Sequence, residues 1–301
     1  MSVQELDVLL GMLRQGGPDL SAPPPQAREG FEQMLAAIPV GEDVAFERIA
    51  VGGVPALAST THNTSSERVL IYLHGGAYVI GSAQGYRALS SALGRAAGAR
   101  AVSLDYRLAP EHRFPAAVED AVAAYRGLLD QGVRPENMAV AGDSAGGGLA
   151  MAMLTAARDA GLPMPAAAVA ISPWIDLECS GGTISSKASE DPALTREGLT
   201  HMAQIYLNGA SPREALASPI YADLAGLPPL MIQVGSSEIL LDDAARLAAH
   251  AGAAGVKTRL DVWPGMVHVW HAFGFMLSEG RDAIDQAGGF IAGCFGPKAT
   301  G

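Results

Sequence analysis

The chain has 301 residues, of which 49% are hydrophobic and 17% charged, and its formal net charge is −11. That balance suits one large core with room for a small appendage and excludes the highly charged, apolar-poor composition of disorder. The acidic surplus argues against a nucleic-acid partner, which needs a basic face, and no run approaches the roughly 18 to 20 apolar residues that span a bilayer.

The first twenty residues include Glu5 and Asp7 and lack the basic start and continuous apolar stretch of a secretory signal, so a cytoplasmic protein is expected. Leu6, Leu9, Leu10 and Leu13 recur near helical spacing, Pro23-Pro24-Pro25 interrupts, and a second short helix is expected over 26–37. Apolar runs over 46–51 and 54–60 flank Gly52-Gly53, a hairpin signal. Six further runs, over 69–73, 101–104, 138–141, 167–171, 230–234 and 258–262, bring the expected strands to eight. Most are separated by helix-like segments such as 115–129 and 242–251, so an α/β fold with a mostly parallel sheet covered on both faces is predicted. Ligands of such sheets bind beyond the carboxyl ends of the strands.

One segment breaks the alternation: 181–219 holds a polar loop and a helical stretch over 196–207 but no strand. A long insertion between core strands reads as a lid or binding loop. The expected organisation is a catalytic domain over 41–301, with 181–219 inserted into it and 1–40 packing against that insertion as a cap. Cys179 and Cys294 are lone cysteines whose spacing indicates neither a metal site nor a disulfide. The eighth strand is expected at a sheet edge, where pairing with a second copy would make a homodimer.

The chemistry is carried by Gly142-Asp143-Ser144-Ala145-Gly146, which follows the apolar run ending at Ala141 and precedes the small-residue segment 147–154. A strand, a sharp turn and a helix in that order lift a serine hydroxyl above a sheet, with glycines where a side chain would crowd the turn. Ser144 is the candidate nucleophile. A serine needs a base and a group that orients the base, and the chain order for this arrangement is Ser, then Asp or Glu, then His. His268, in the Gly-containing loop after the last strand, is the candidate base. Glu238 lies just past the strand over 230–234 and is favoured as the orienting acid, with Asp242 as the alternative; Asp242 and Asp243 open the next helix, where carboxylates are expected on local grounds. His271 is read as a packing or surface residue and His250 as a helix-end residue. The run 69–73 ends in His74-Gly75-Gly76-Ala77, a Gly-rich loop suited to an oxyanion hole; Gly75, Gly76 and Ala145 are the candidate amide donors, and His74 is read as a brace for the loop.

Together with Asp105-Tyr106-Arg107-Leu108-Ala109-Pro110-Glu111 and Phe114-Pro115-Ala116-Ala117, these motifs make the chain resemble, from about 45 to 295, the bacterial hormone-sensitive-lipase-like (family IV) esterases of the α/β-hydrolase superfamily. The resemblance implies hydrolysis of short to medium acyl esters through an acyl-enzyme, without a cofactor or metal. Two departures stand out. Ala77 replaces the usual third glycine of the oxyanion loop, and Glu238 stands where an Asp is common. Met202, Ile205 and Tyr206 are candidates for lining the acyl pocket, though core packing accounts for them nearly as well. A lactone hydrolase or transacylase would use the same residues, and a non-catalytic ligand-binding protein of this fold is the rival from another class.

Overall fold

The computed structural model describes residues 3–16 and 19–296. Eight strands form one sheet: β1 Ala45–Val51, β2 Val54–Thr60, β3 Ser65–Leu73, β4 Ala99–Leu104, β5 Met138–Asp143, β6 Ala167–Ile171, β7 Leu230–Gly235 and β8 Thr258–Trp263. Their spatial order is β1-β2-β4-β3-β5-β6-β7-β8. Only β2 runs against its neighbours, β1 and β4; all other pairs are parallel. Every residue of β5, β6 and β7 is buried, which is why these strands read as unbroken apolar runs rather than alternating ones. The edge strand β1 faces solvent over most of its length, and β8 at the other edge leaves Val262 exposed.

The helices are α1 Val3–Gly16, α2 Pro24–Ala36, α3 Arg87–Ala97, α4 Ala116–Asp130, α5 Ala145–Asp159, α6 Thr183–Ser186, α7 Arg196–Leu207, α8 Leu241–Ala253 and α9 Ser278–Cys294. Among the described residues none is long and apolar enough to cross a membrane. α4 packs against α5, and α3 against α9. The central helix α5 sits unusually close to its sheet because its first turn is built from small residues. A Cβ on Gly146 would lie 2.0 Å from the Leu73 carbonyl oxygen, and one on Gly142 would lie 2.2 Å from that of Gly146.

The N-terminal segment and the insertion meet above the carboxyl ends of the strands. Leu9 and Leu13 of α1 are buried with Met266, Val267, Trp270 and Phe273, so α1 rests on the loop that follows β8. Arg28 of α2 pairs with Glu111 at 2.6 Å and donates to the carbonyls of Val79 and Ala109, each at 2.8 Å, which ties α2 to the segments after β3 and β4. Thr195 caps α7 by accepting from the Gly198 N–H at 3.0 Å, a preferred N-cap arrangement.

Candidate active site

Ser144 stands between β5 and α5 with φ 52° and ψ −121°, a left-sided conformation that is rare outside glycine and that close packing must sustain. Its own amide donates to the Ile171 carbonyl at 2.9 Å, and its carbonyl accepts from the Gly147 amide at 3.0 Å and the Trp174 amide at 2.9 Å. The backbone is therefore held from the neighbouring strand, from the helix and from the loop after β6.

His268 lies in the loop after β8. Its Nδ1 is 2.8 Å from Glu238 Oε2, and since a carboxylate can only accept, Nδ1 carries the proton and Nε2 keeps its lone pair. Glu238 is fully buried; its other oxygen accepts from the Ser172 hydroxyl at 2.8 Å and the Gly235 amide at 2.7 Å. Ser172, at the end of β6, also accepts from the Val269 amide at 3.2 Å, so one hydroxyl touches both the acid and the residue beside the imidazole. Burial is the largest influence on His268 and favours the neutral ring. The hydrogen bond and charge of Glu238, joined by the charges of Asp191 and Asp143, outweigh it and raise the pKa above the usual 6.5.

Asp242 is placed elsewhere. Its Oδ2 accepts from the Gly182 amide at 2.8 Å and its own amide donates to Thr183 Oγ1 at 2.8 Å, so it anchors the insertion rather than the imidazole. Asp243 is buried and accepts from the Ile175 and Asp176 amides at 3.0 and 3.2 Å; burial drives its pKa up to about 8. His271 is buried against Gln233 Oε1 at 2.9 Å, and burial lowers its pKa to about 3. His250 hydrogen-bonds the Ala222 carbonyl at 2.7 Å through Nε2. His74 is stacked on Tyr106 at 4.3 Å between ring centres and donates from Nδ1 to the Gly75 carbonyl at 2.7 Å; burial keeps it neutral, with a pKa of about 4.

In the Gly-rich loop after β3, one of the three expected amide donors, Gly75, is turned away from the cavity. The Gly75 amide donates to Asp143 Oδ1 at 3.0 Å, so it is committed inside the protein and does not face the cavity as a free donor. Asp143 is fully buried, also accepts from the Tyr72 hydroxyl at 2.7 Å, and is raised to about 6 chiefly by burial. Beyond Gly75 the chain turns through φ values of 111°, 53° and 64° at Gly76, Ala77 and Tyr78. The amides of Val79 and Ile80 both close onto the Gly76 carbonyl, at 3.0 and 2.9 Å. Among the described residues, the amides of Gly76 and Ala77 donate to nothing, and Ala145 is the first residue of α5, where no intrahelical acceptor exists.

Ser144, His268, Gly76 and Ala77 line one cavity of about 70 Å³. Its remaining wall is mostly apolar: Leu13, Leu20, Phe31, Met34, Leu35 and Ile38 from the N-terminal segment, and Ala193, Leu194 and Leu199 from the insertion. The Ser144 hydroxyl makes no hydrogen bond to another described residue. Met202, Ile205 and Tyr206, expected at the acyl pocket, are not among its lining residues. Met202 and Tyr206 face the core, where Tyr206 stacks on Tyr78 at 4.0 Å between ring centres, and Ile205 packs against the edge of that core; Leu199 is the α7 residue that reaches the cavity. Ser172 was missed by sequence reasoning, because a lone serine after an apolar strand carries no recognisable pattern. Among the described residues, no three His, Cys, Asp or Glu side chains group as metal ligands.

Residues 70–272 match the sequence pattern of a family with the α/β-hydrolase fold. The chain is 56% identical over 224 residues to an acetyl-hydrolase of Streptomyces hygroscopicus, covering 74% of this chain and 75% of that protein. It is 37% identical over 268 residues to a putative acetyl-hydrolase of Mycobacterium tuberculosis, covering 88% and 87%. The crystal structure of an esterase from the bacterial hormone-sensitive lipase family superposes with a TM-score of 0.95 at 47% identity, over 98% of this chain and all of that one.

Proposed function

The chain belongs to the bacterial hormone-sensitive-lipase-like esterases of the α/β-hydrolase family and is a carboxylesterase, and from that premise we propose that Ser144, His268 and Glu238 carry out the hydrolysis. Ser144 Oγ attacks the ester carbonyl while His268 Nε2 takes its proton. Glu238 holds the ring in the tautomer that leaves Nε2 free and stabilises the imidazolium that forms. The carbonyl oxygen, now an anion, is received by the amides of Gly76, Ala77 and Ala145. His268 then protonates the departing alcohol, and water activated by the same base releases the acid from Ser144. The observation that carries this reading is the 2.8 Å contact between Glu238 and His268 beside a cavity that also exposes Ser144.

We infer that the acyl group is short. The cavity of about 70 Å³ is mostly apolar and is walled by side chains between Leu13 and Ile38 and between Ala193 and Leu199, which act together as the cap. Similarity to acetyl-hydrolases points the same way. The exposed edge strand β8, with Val262 turned to solvent, is the surface proposed for a homodimer, and a monomeric mass by light scattering would dismiss it. The catalytic reading is tested by Ser144→Ala. It is expected to lower kcat on p-nitrophenyl acetate by roughly 10⁴ to 10⁶; near-normal turnover would sink the assignment.

A further inference from the structure

We propose that Asp191, in the loop between α6 and α7, is a positioning residue for the hydrolysis: it joins the wall of the acyl cavity to the Glu238 loop and sets the charge around the His268 ring. The proposal rests on the reading of Glu238 and His268 given above.

The geometry is that of a clamp. Asp191 Oδ1 accepts from the amides of Ala193 and Leu194, both at 2.9 Å, and both residues line the cavity. Its Oδ2 accepts from the amide of Ile239 at 2.8 Å, the residue directly after Glu238 and 48 positions away in sequence. One side chain thus ties the insertion to the acid loop through three N–H groups. Partners that all donate suit an ionised carboxylate and leave nothing for a carboxyl proton to do.

Charge is the second part of the role. Burial is the largest influence on Asp191 and raises its pKa, while attraction to His268 opposes it; the same attraction raises His268. The groups facing His268 are Glu238 from the β7 loop, Asp191 from the insertion, Asp143 from the end of β5 and His271 from the following turn. Glu238 orients the ring by direct contact. Asp191 makes no hydrogen bond to it, and acts through the loop it holds and through its field. A substrate that pushes on Ala193 and Leu194 therefore pushes on the same carboxylate that fixes the Glu238 loop.

The test is Asp191→Asn. The change keeps the size and one acceptor oxygen, removes the charge, and sets an amide nitrogen against one of the N–H partners. On p-nitrophenyl acetate, kcat is expected to fall about tenfold, the effect of weakening one buried hydrogen bond to a charged group. The acid limb of the kcat/KM profile is expected to move to lower pH by roughly half a unit, as befits losing one partly screened negative charge. Asp191→Ser, which retains a short acceptor for the turn amides but neither the reach nor the charge, is expected to move the limb equally and serves if the first variant folds poorly by near-UV circular dichroism. An acid limb that stays where it is in both variants overturns the proposal, whether or not kcat falls, because a merely structural clamp would not move it. Glu238→Gln separates the role of Asp191 from that of the Glu238–His268 pair. Wild-type activity in that variant would remove the premise, whereas its impairment beside an unmoved Asp191→Asn profile would remove only the role of Asp191.

Discussion

The Ser172 hydroxyl donates to Glu238 Oε1 at 2.8 Å while accepting from the Val269 amide at 3.2 Å, so the carboxylate of one loop and the backbone beside His268 are tied through a single side chain. All of these groups are buried; without the hydroxyl the Val269 amide loses its acceptor and Glu238 Oε1 keeps only the Gly235 amide. Ser172→Ala is expected to lower kcat/KM about tenfold, since an unsatisfied buried group costs on the order of 1–3 kcal/mol. KM should change little, because Ser172 does not line the cavity. Michaelis kinetics on p-nitrophenyl acetate check this, and an unchanged kcat would show that Gly235 alone orients the acid.

That bridge also shows where sequence reading stops. β5, β6 and β7 were legible because strands buried on both faces are apolar without interruption, and the serine turn was legible because strand, glycines and helix follow one another directly. Glu238 and His268 followed from chain order. Ser172 and Asp191 could not be found that way: each is an isolated polar residue whose partner lies 66 or 48 positions away. The Gly-rich loop after β3 shows a different limit. Two glycines mark a close approach of backbone, yet only the fold tells that the Gly75 amide turns inward to Asp143. Likewise, helical periodicity locates α7 but does not say that Leu199, rather than Met202 or Tyr206, faces the cavity.

Comparison of Glu238→Ala with Asp242→Ala separates the two carboxylates offered by the loop after β7. Glu238→Ala is expected to reduce kcat by at least about 10³, as removal of a triad acid does. Asp242→Ala breaks the hydrogen bond from the Gly182 amide at the edge of the insertion, and is expected to cost less than tenfold. A greater loss in the Asp242 variant would reverse the assignment.

The pH dependence has a definite sign. His268 acts as a base only when neutral, and its pKa is raised above 6.5, so kcat/KM should climb with pH along a limb centred above that value. Glu238→Gln removes the hydrogen-bonded charge that offsets burial, and its limb should lie at lower pH even though its plateau falls. A wild-type limb centred below 6.5 in initial-rate profiles would contradict the arrangement.

Gly75 is placed to be sensitive for a reason unrelated to amide donation. A Cβ there would lie 2.2 Å from Asp143 Oδ2 and 2.8 Å from the Tyr86 hydroxyl. Gly75→Ala is therefore expected to displace either the buried carboxyl or the loop that carries Gly76 and Ala77. Activity should fall about a hundredfold, the loss expected when one oxyanion donor is misplaced, together with a lower Tm by calorimetry. Retention of full activity would mean that the loop can shift without moving its donors.

Asp243 gives a stability prediction that involves no catalysis. Its pKa is raised from 3.8 to about 8, mainly by burial, so the folded protein holds a proton that the unfolded chain releases. The stability this group contributes is fully present below 3.8 and is lost as pH rises toward 8. Asp243→Asn keeps an acceptor for the Ile175 and Asp176 amides and has no proton to lose, and an amide nitrogen would take the place of Oδ1, which has no partner. The variant's Tm relative to wild type should therefore improve steadily between pH 5 and 8, by several degrees overall for a chain of this size, and level off above pH 8. A constant difference across that range would show that Asp243 is ionised throughout.

Ile38 and Ala272 are shared between the cavity at Ser144 and a second cavity of about 440 Å³ formed with α3 and α9, so they are the wall between the two. Ile38 is nearly buried and follows α2, outside the groups proposed to do the chemistry. Ile38→Ala shortens that wall without touching Ser144, Glu238 or His268, and an acyl chain longer than the small cavity then gains an apolar path. Removing three buried carbons also costs stability, on the order of 2–5 kcal/mol, so Tm should fall. The expected outcome is a rise of about tenfold in kcat/KM for p-nitrophenyl octanoate relative to the acetate, since each methylene newly withdrawn from water is worth about 0.8 kcal/mol before the cost of ordering the chain. Equal losses on both esters in a folded variant would mean that chain length is limited elsewhere, at the Leu194 and Leu199 side of the cavity.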